Sequence, residues 1–227
     1  MEQPQAIGRA LGFGGRLSFD TATLGGLDEK IDLLKNIDAI SIIGCGSSLN
    51  AANYGTKLMR HTGAFTSVSS MDVNSTDDSD FRYSSEPKKQ GMIVVSQSGE
   101  TREIIDAIQL ANRKGLPVIG VVNGVGSSAA SLSTCGTYTF AGEEKAEVST
   151  KSFTNEVVCL ALISLWFRQV KAKEHGLKLP PQTDSLAEAL QRLPITFGML
   201  MRTQNVCKKA AKKLATKEHC FVLGKGE

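Results

Sequence analysis

At roughly 100–200 residues per domain, a 227-residue chain makes one large domain or two small ones, and 41% hydrophobic against 22% charged content buries a sizeable core, which excludes a disordered protein. The 26 basic and 23 acidic residues leave a net charge of +3, too small for a nucleic-acid-binding domain, which concentrates many more Lys and Arg on one face. The apolar stretch from Val157 to Phe167 falls well short of the roughly 20 residues that span a bilayer, and Met1-Glu2-Gln3-Pro4-Gln5 begins no signal peptide, so no membrane partner is expected.

Along the chain, residues 1–38 read as a lead-in with a helix. Short bursts rich in Ile and Val then occur at Ala39–Gly44, Phe65–Met71, Met92–Ser96, Val118–Val122 and Thr137–Phe140, bounded by Gly, Ser or Asn, which predicts buried strands. Between them, Ser48–His61 ends at Gly63, and Thr101–Lys114 ends at Gly115 with Ile104, Ile105, Ile108 and Ala111 on one face, which predicts two helices with glycine C-caps. Thr150–Lys173 reads as one long helix whose inner face carries Phe153, Val157, Leu160, Ala161, Ser164 and Leu165. After a hydrophilic break at 174–183, Asp184–Lys217 is helical again with an interruption near Pro194, and its basic end (Lys208, Lys209, Lys212, Lys213, Lys217) reads as a solvated face near a helix C-terminus.

His219–Gly224 then reads as a new strand. This alternation predicts an α/β fold, a three-layer α-β-α sandwich around a five-stranded parallel sheet with helices C-terminal to it. The division expected is 1–38 lead-in, 39–183 sheet domain, 184–218 C-terminal helices and 219–227 the start of a further unit.

Two segments carry candidate chemistry. Ile43-Gly44-Cys45-Gly46-Ser47-Ser48 puts two glycines and two hydroxyls between a strand end and a helix, where backbone N–H groups favour an anion. It does not complete G-x-G-x-x-G, and helix capping by one serine would also account for it. Val95-Ser96-Gln97-Ser98-Gly99-Glu100-Thr101 places three hydroxyls, a carboxamide and a glycine at a second strand-to-helix turn, a cradle suited to a phosphomonoester. Capping explains two of those residues, not six. No Lys follows in a nucleotide-binding arrangement. The odd number of cysteines (Cys45, Cys135, Cys159, Cys207, Cys220) without C-x-x-C spacing argues against disulfides and zinc, and for a reducing, cytoplasmic location. His61, His175 and His219 read as surface or capping residues, and neither a metal nor a cofactor is expected.

In order and content these segments resemble the sugar isomerase (SIS) domain family. Gly44-Cys45-Gly46-Ser47-Ser48, Ser96-Gln97-Ser98-Gly99-Glu100-Thr101, Val122-Asn123-Gly124-Val125-Gly126-Ser127-Ser128 and Ser149-Thr150-Lys151-Ser152-Phe153-Thr154 are similar to successive motifs of the glutamine–fructose-6-phosphate aminotransferase (isomerizing) family. Glu2-Gln3-Pro4, Gly15-Arg16-Leu17-Ser18-Phe19-Asp20 and Leu24-Gly25-Gly26-Leu27 are similar to that family's sequence just before its first SIS domain.

The resemblance implies a flavodoxin-like sheet and a phosphate held by Ser47, Ser48, Ser96, Gln97, Ser98 and Thr101, with Gly46, Glu147, Val148, Ser149 and Lys151 on the sugar side. At Glu147 a carboxylate stands where the family has an apolar residue. The implied ligand is fructose 6-phosphate or glucosamine 6-phosphate. UDP-N-acetylglucosamine is the feedback ligand of eukaryotic members, and a homodimer is expected. The family's second SIS domain would begin near residue 219, and its catalytic residues have no match here, so the chain is expected to bind sugar phosphate without turnover. Two alternatives stay open: a related SIS isomerase or deglycase, which Glu147 allows, and a non-catalytic phosphosugar-sensing module.

Overall fold

The computed structural model describes residues 2–18, 21–75, 89–145, 149–176 and 181–224, with side chains from 185 onward in the last segment. In chain order the elements are α1 (Gln3–Ala10), β1 (Leu17–Ser18), β2 (Thr21–Ala22), α2 (Gly25–Asp28), α3 (Ile31–Leu34), β3 (Ala39–Gly44), α4 (Gly46–Thr62), β4 (Ser67–Asp72) and β5 (Gln90–Ser96). There follow α5 (Arg102–Arg113), β6 (Val118–Val122), α6 (Ser128–Leu132), β7 (Cys135–Tyr138), α7 (Lys151–His175), α8 (Pro181–Leu200) and α9 (Gln204–Leu214). Strands β3 to β7 form one parallel sheet in the order β4-β3-β5-β6-β7, while β1 and β2 make a separate antiparallel pair.

Successive strand residues face opposite layers, as a period of two requires. Ile40, Ile42, Ile93, Val95, Ile119 and Val121 pack against α4 and α7, whereas Ile43, Met92, Val94, Val118 and Val122 pack against α5 and α6. The central strands β3, β5 and β6 are therefore apolar on both faces over most of their length, while the edge strands β4 and β7 are more polar, and the three-layer sandwich expected from the sequence is present. β3 and β6 have the predicted bounds. β4 begins two residues after Phe65 and β7 two residues before Thr137. Phe140 lies beyond β7 at φ 51, its carbonyl accepting from Arg9 Nε at 2.9 Å. The lead-in is part of the core: Ile7, Ala10, Leu11, Leu17, Leu24 and Leu27 are buried in the α4–α7 layer.

Two other expectations are corrected. α8 runs through Pro194, and the break falls instead at Met201–Thr203. A proline costs a helix one backbone bond and crowds the preceding turn, but Ala187 and Leu190 are buried on the flank and hold the helix on its course. The stretch from His219 to Gly224 forms no strand pairing, and Phe221, Val222 and Leu223 are exposed.

Close backbone approach fixes the sheet edge. At the pair Gly120↔Gly136, a Cβ on Gly136 would sit 2.2 Å from the Gly120 carbonyl oxygen, and one on Gly26 would sit 2.5 Å from the Gly136 carbonyl oxygen. Backbone cannot step aside as a flexible side chain can. Gly136→Ala is therefore expected to lower the midpoint of urea unfolding, by about 1–3 kcal/mol in stability. An unchanged midpoint would contradict this packing.

The inner face predicted for α7 is incomplete, because this helix is buried all round. Val158 to Phe167 is a continuous buried run, and Ser152, Asn155 and Glu156 are fully buried one turn earlier. Phe167 packs on Phe65 with ring centroids 4.7 Å apart, and Trp166 Nε1 donates to Asp28 Oδ1 at 2.6 Å. Burial pushes the Glu156 carboxyl up to about 7, against the lowering effect of the hydrogen bond it accepts from Ser48. A carboxyl whose native pKa exceeds its unfolded value of 4.5 contributes stability below that value and loses it as the pH rises through about 7. At about 1.4 kcal/mol per pKa unit, wild type should lose about 2–3 kcal/mol relative to Glu156→Gln between roughly pH 5 and 8. Urea denaturation of both proteins across that range measures it, and parallel profiles would refute the assignment.

Candidate functional site

In this sheet order the chain turns in opposite directions from β3 and β5, and ligands of such folds bind outside the strand carboxyl ends at that point. The register Ile43↔Val94 carries Gly44-Cys45-Gly46 and Ser96-Gln97-Ser98 out of the sheet side by side, on strands about 4.8 Å apart. The two candidate segments, separated by some fifty residues of sequence, thus meet at one edge.

Each segment leads directly into a helix. A Cβ on Gly44 would lie 2.7 Å from the Ser48 carbonyl carbon, so glycine lets the first turn of α4 fold back against the strand end. Gly46 turns the chain at φ 55, in the left-handed region. In the second loop Gly99 has φ 72, and a Cβ there would sit 2.1 Å from Ser127 Oγ. This loop is locked by its own hydroxyls, since Gly99 N–H donates to Ser96 Oγ at 3.0 Å and Glu100 N–H to Ser98 Oγ at 3.1 Å. It is also tied to the β6 exit, where Asn123 N–H donates to Ser96 O, Gly124 N–H to Gln97 O and Ala129 N–H to Gly99 O.

The helix N-termini at the exits of the five-stranded sheet are treated unevenly. Glu100 accepts from Ser128 N–H at 2.9 Å and Ser128 Oγ at 2.7 Å, which holds its carboxyl below the usual range and places a negative charge at the start of α6. Glu144 Oε2 accepts from Thr150 N–H at 2.9 Å and Ser152 N–H at 3.0 Å at the start of α7. By contrast, neither Cys45 nor Thr101, the N-cap residues of α4 and α5, makes a side-chain cap. Among the described residues no other side chain bonds the leading N–H groups of these two helices. The alternative account of the first segment, helix capping by one of its serines, is therefore not what the structure shows. Two adjacent helix ends keep donors available for an anion.

The predicted phosphate residues divide by exposure. Ser98 is exposed, Ser47, Gln97 and Thr101 are half-buried, and Ser96 is buried with its oxygen occupied by Gly99. Ser48 is buried too, and its hydroxyl donates to Glu156 Oε1 at 2.9 Å across the α4–α7 contact. On the sugar side Gly46 is exposed and Ser149 half-buried, while Lys151 Nζ is held by the Glu2 carboxylate, which lowers the Glu2 pKa. Glu147 and Val148 lie outside the described residues. Cys45, between the two turns, is kept as a thiol by burial first and then by the negative charges of Asp72, Glu103 and Glu156.

Sequence reasoning missed Glu156 and Asn123. Asn123 Oδ1 accepts from Thr139 Oγ1 and Ala141 N–H, and its Nδ2 donates to Gly142 O, so one side chain pins the β7 exit. Two sizeable clefts are lined by none of the residues of the two candidate segments. One of about 480 Å³ runs between α1 and α8 past Phe13 and Pro194, and one of about 250 Å³ lies beside β7. Among the described residues no cluster of His, Cys, Asp and Glu could hold a metal, and no helix is long and apolar enough to cross a membrane.

Comparison with known proteins shows the family and the fold. The chain is 30% identical over 230 residues to a glutamine–fructose-6-phosphate aminotransferase (isomerizing) of Chlorobaculum tepidum, covering 99% of this chain and 35% of that protein. It is 32% identical over 228 residues to one of Caldanaerobacter subterraneus, covering 99% and 36%. It thus spans about a third of the length of these relatives. The fold is similar to the C-terminal domain of glucosamine-fructose-6-phosphate aminotransferase from Francisella tularensis, with a TM-score of 0.79, 22% identity and coverage of 96% of this chain and 58% of that one. It is also similar to the Vibrio vulnificus NanR protein complexed with ManNAc-6P, with a TM-score of 0.54, 20% identity and coverage of 86% and 69%. The SIS domain family matches residues 33–165, more than half of the chain, and the chain belongs to that family.

Proposed function

We propose that the strand exits of β3 and β5 bind a phosphosugar, with the phosphate over the N-termini of α4 and α5. The observation that carries this reading is the pair of adjacent helix ends at the β3 and β5 exits, α4 and α5, without side-chain caps, whereas the starts of α6 and α7 receive Glu100 and Glu144. Ser47, Ser98, Gln97 and Thr101 supply neutral donors at the rim, Ser96 shapes the loop, and Ser48 stands beneath the α4 turn. Neutral donors and aligned amides suit a phosphate dianion because each N–H···O or O–H···O bond to a charged oxygen is stronger than one to a neutral group. Gly46, Ser149 and Lys151 face the sugar in this reading.

The sugar is fructose 6-phosphate or glucosamine 6-phosphate. The chain acts as the first phosphosugar-binding unit of an isomerizing aminotransferase that forms glucosamine 6-phosphate from fructose 6-phosphate and glutamine. Support comes from the relatives' names and from the alignment of the whole chain with one third of their length. In this reading the isomerase chemistry and amide hydrolysis use groups outside these residues, the unit pairs with a second copy, and UDP-N-acetylglucosamine is a candidate feedback ligand. The five free cysteines, with the thiols of Cys135 and Cys159 pushed up to about 11 and about 12 by burial, fit a reducing cytoplasm.

Thermal-shift titration separates the readings. Fructose 6-phosphate and glucosamine 6-phosphate should each raise the melting temperature, whereas a response to UDP-N-acetylglucosamine alone would replace the substrate site with a regulatory one. A response to neither hexose phosphate would defeat the proposal. Ser98→Ala should weaken fructose 6-phosphate binding by about 1–3 kcal/mol, roughly 5- to 150-fold in Kd, because a hydroxyl bonded to a charged oxygen is lost. Calorimetry giving equal affinity would remove Ser98 from the site.

A further inference from the structure

Glu156 is the single charged residue between Lys151 and Arg168, in the second turn of α7. It is fully buried, its Oε1 accepts from Ser48 Oγ at 2.9 Å, and its Oε2 has no hydrogen-bond partner. Ser48 stands in the first turn of α4, whose N-cap residue makes no side-chain cap. The described site is also rich in negative charge for a place that would receive a phosphate: the Cys45 thiol feels Asp72 at the end of β4, Glu103 in the first turn of α5, and Glu156 from α7.

Resting on the phosphosugar reading above, we infer that Glu156 is a positioning residue that couples ligand binding to proton uptake: a phosphate bound over α4 is accompanied by protonation of Glu156, which frees the Ser48 hydroxyl to donate to the ligand. The chemistry is that of a carboxyl group in its two states. An ionised carboxylate only accepts, so it fixes the Ser48 proton on itself. A neutral carboxylic acid carries its own O–H, which donates to Ser48 Oγ, and the serine proton then turns toward the anion. The proton comes from bulk solvent and rests on Glu156, no bond between heavy atoms changes, and one negative charge is removed from beside the phosphate.

The groups around Glu156 leave this the state that answers. Cys45 approaches from the β3–α4 turn, and burial keeps it a thiol. On its own helix Cys159 is held protonated by burial, with Arg16 from the lead-in near it. Lys151 is engaged by Glu2, and Glu144 by the N–H groups of Thr150 and Ser152. From the side of α1 and the β7 exit, Asn155 is bonded to the Ala6 and Thr139 carbonyls, and Arg9 to those of Phe140 and Ala141. Burial of Glu156 with no cation bonded to it places its titration near neutral pH, where the linkage is felt.

Binding and protonation are then reciprocal, so affinity for the anion falls as pH rises above the free protein's titration. The test is isothermal titration calorimetry with fructose 6-phosphate across roughly pH 6 to 8.5 on wild type, Glu156→Gln and Ser48→Ala. The ligand's own ionisation, near pH 6, is common to all three. Wild type should lose affinity relative to Glu156→Gln by up to about tenfold per pH unit above 7. The amide mimics the neutral acid, so the variant should bind at pH 8 as wild type does near pH 6, apart from the ligand's own titration. Ser48→Ala should bind more weakly, with a pH slope reduced toward that of Glu156→Gln.

Glucose 6-sulfate, which does not titrate in this range, gives a second measurement on wild type alone: in two buffers of different ionisation enthalpy near pH 8, uptake approaching one proton per ligand is expected. Binding with no proton uptake, or with parallel pH profiles in wild type and Glu156→Gln, overturns this inference and leaves the phosphosugar site standing. Uniform weakening of Glu156→Gln at every pH would assign Glu156 a structural role. No binding of either ester by wild type at any pH overturns the phosphosugar reading and this inference with it.

Discussion

The register of β3 against β5 sets where everything else can go. With Ile43 opposite Val94 in a parallel pair, both chains leave the sheet at one edge and at neighbouring positions, and each must turn into a helix within a few residues. The two helices lie on opposite faces, α4 with α7 and α5 with α6, so their N-termini converge on the edge from both sides. A slip of one residue would move Ile42 and Ile43 to the wrong layers and separate the two turns at the same time. Burial of these apolar side chains therefore enforces the polar geometry of the edge, although none of those side chains belongs to the site.

Given that convergence, the hydrogen-bond arrangement is informative because it is uneven. Around the sheet edge, the starts of α6 and α7 are closed by carboxylates of this chain, Glu100 and Glu144, and those of α4 and α5 are not. The loop after β5 spends the oxygens of Ser96 and Ser98 on its own N–H groups and its carbonyls on the β6 exit, so it is rigid before any ligand arrives. Rigidity reduces the ordering that binding must impose. The leading amides of α4 and α5, served by no described side chain, are what such a frame holds ready.

Much of this was legible in the sequence, for reasons that differ by element. β3 and β6 were readable because a strand buried on both faces is a short run dominated by apolar residues, broken in β3 by Ser41 alone, with glycine or asparagine at its end. The two turns were readable because packing alone does not gather a glycine and several hydroxyls at the end of a buried strand. The lead-in was not: α1 and the β1–β2 pair are too short for periodicity, and their burial depends on residues far along the chain, such as Gln3 bonding Thr154. Pro194 suggested a break because local sterics disfavour it, yet tertiary packing of Ala187 and Leu190 carries α8 past it. Assignment of one inner face to α7 failed because a helix wrapped by α1, α4, the sheet and α8 has no outer face over its middle turns. The missed signal was compositional, a lone glutamate in an otherwise uncharged stretch.

Glu156 also shows how site and stability are set against each other in one turn of helix. Replacing a buried ionisable group with an apolar one of similar size is often neutral or stabilising, so packing alone gives no reason for a carboxyl there. The neighbouring Ser152 Oγ and Asn155 Oδ1 are likewise buried without partners, and each such atom carries a desolvation cost of about 1–3 kcal/mol. Among the described residues, three of the five buried side-chain polar atoms without partners fall in the stretch 152–156, at the level of the α4 turn where Ser48 bonds Glu156, while Thr56 Oγ1 and Arg168 Nε lie elsewhere. A defect of packing would fall anywhere in a helix this long. Their concentration beside the strand exits is what a polar layer supporting a ligand site produces.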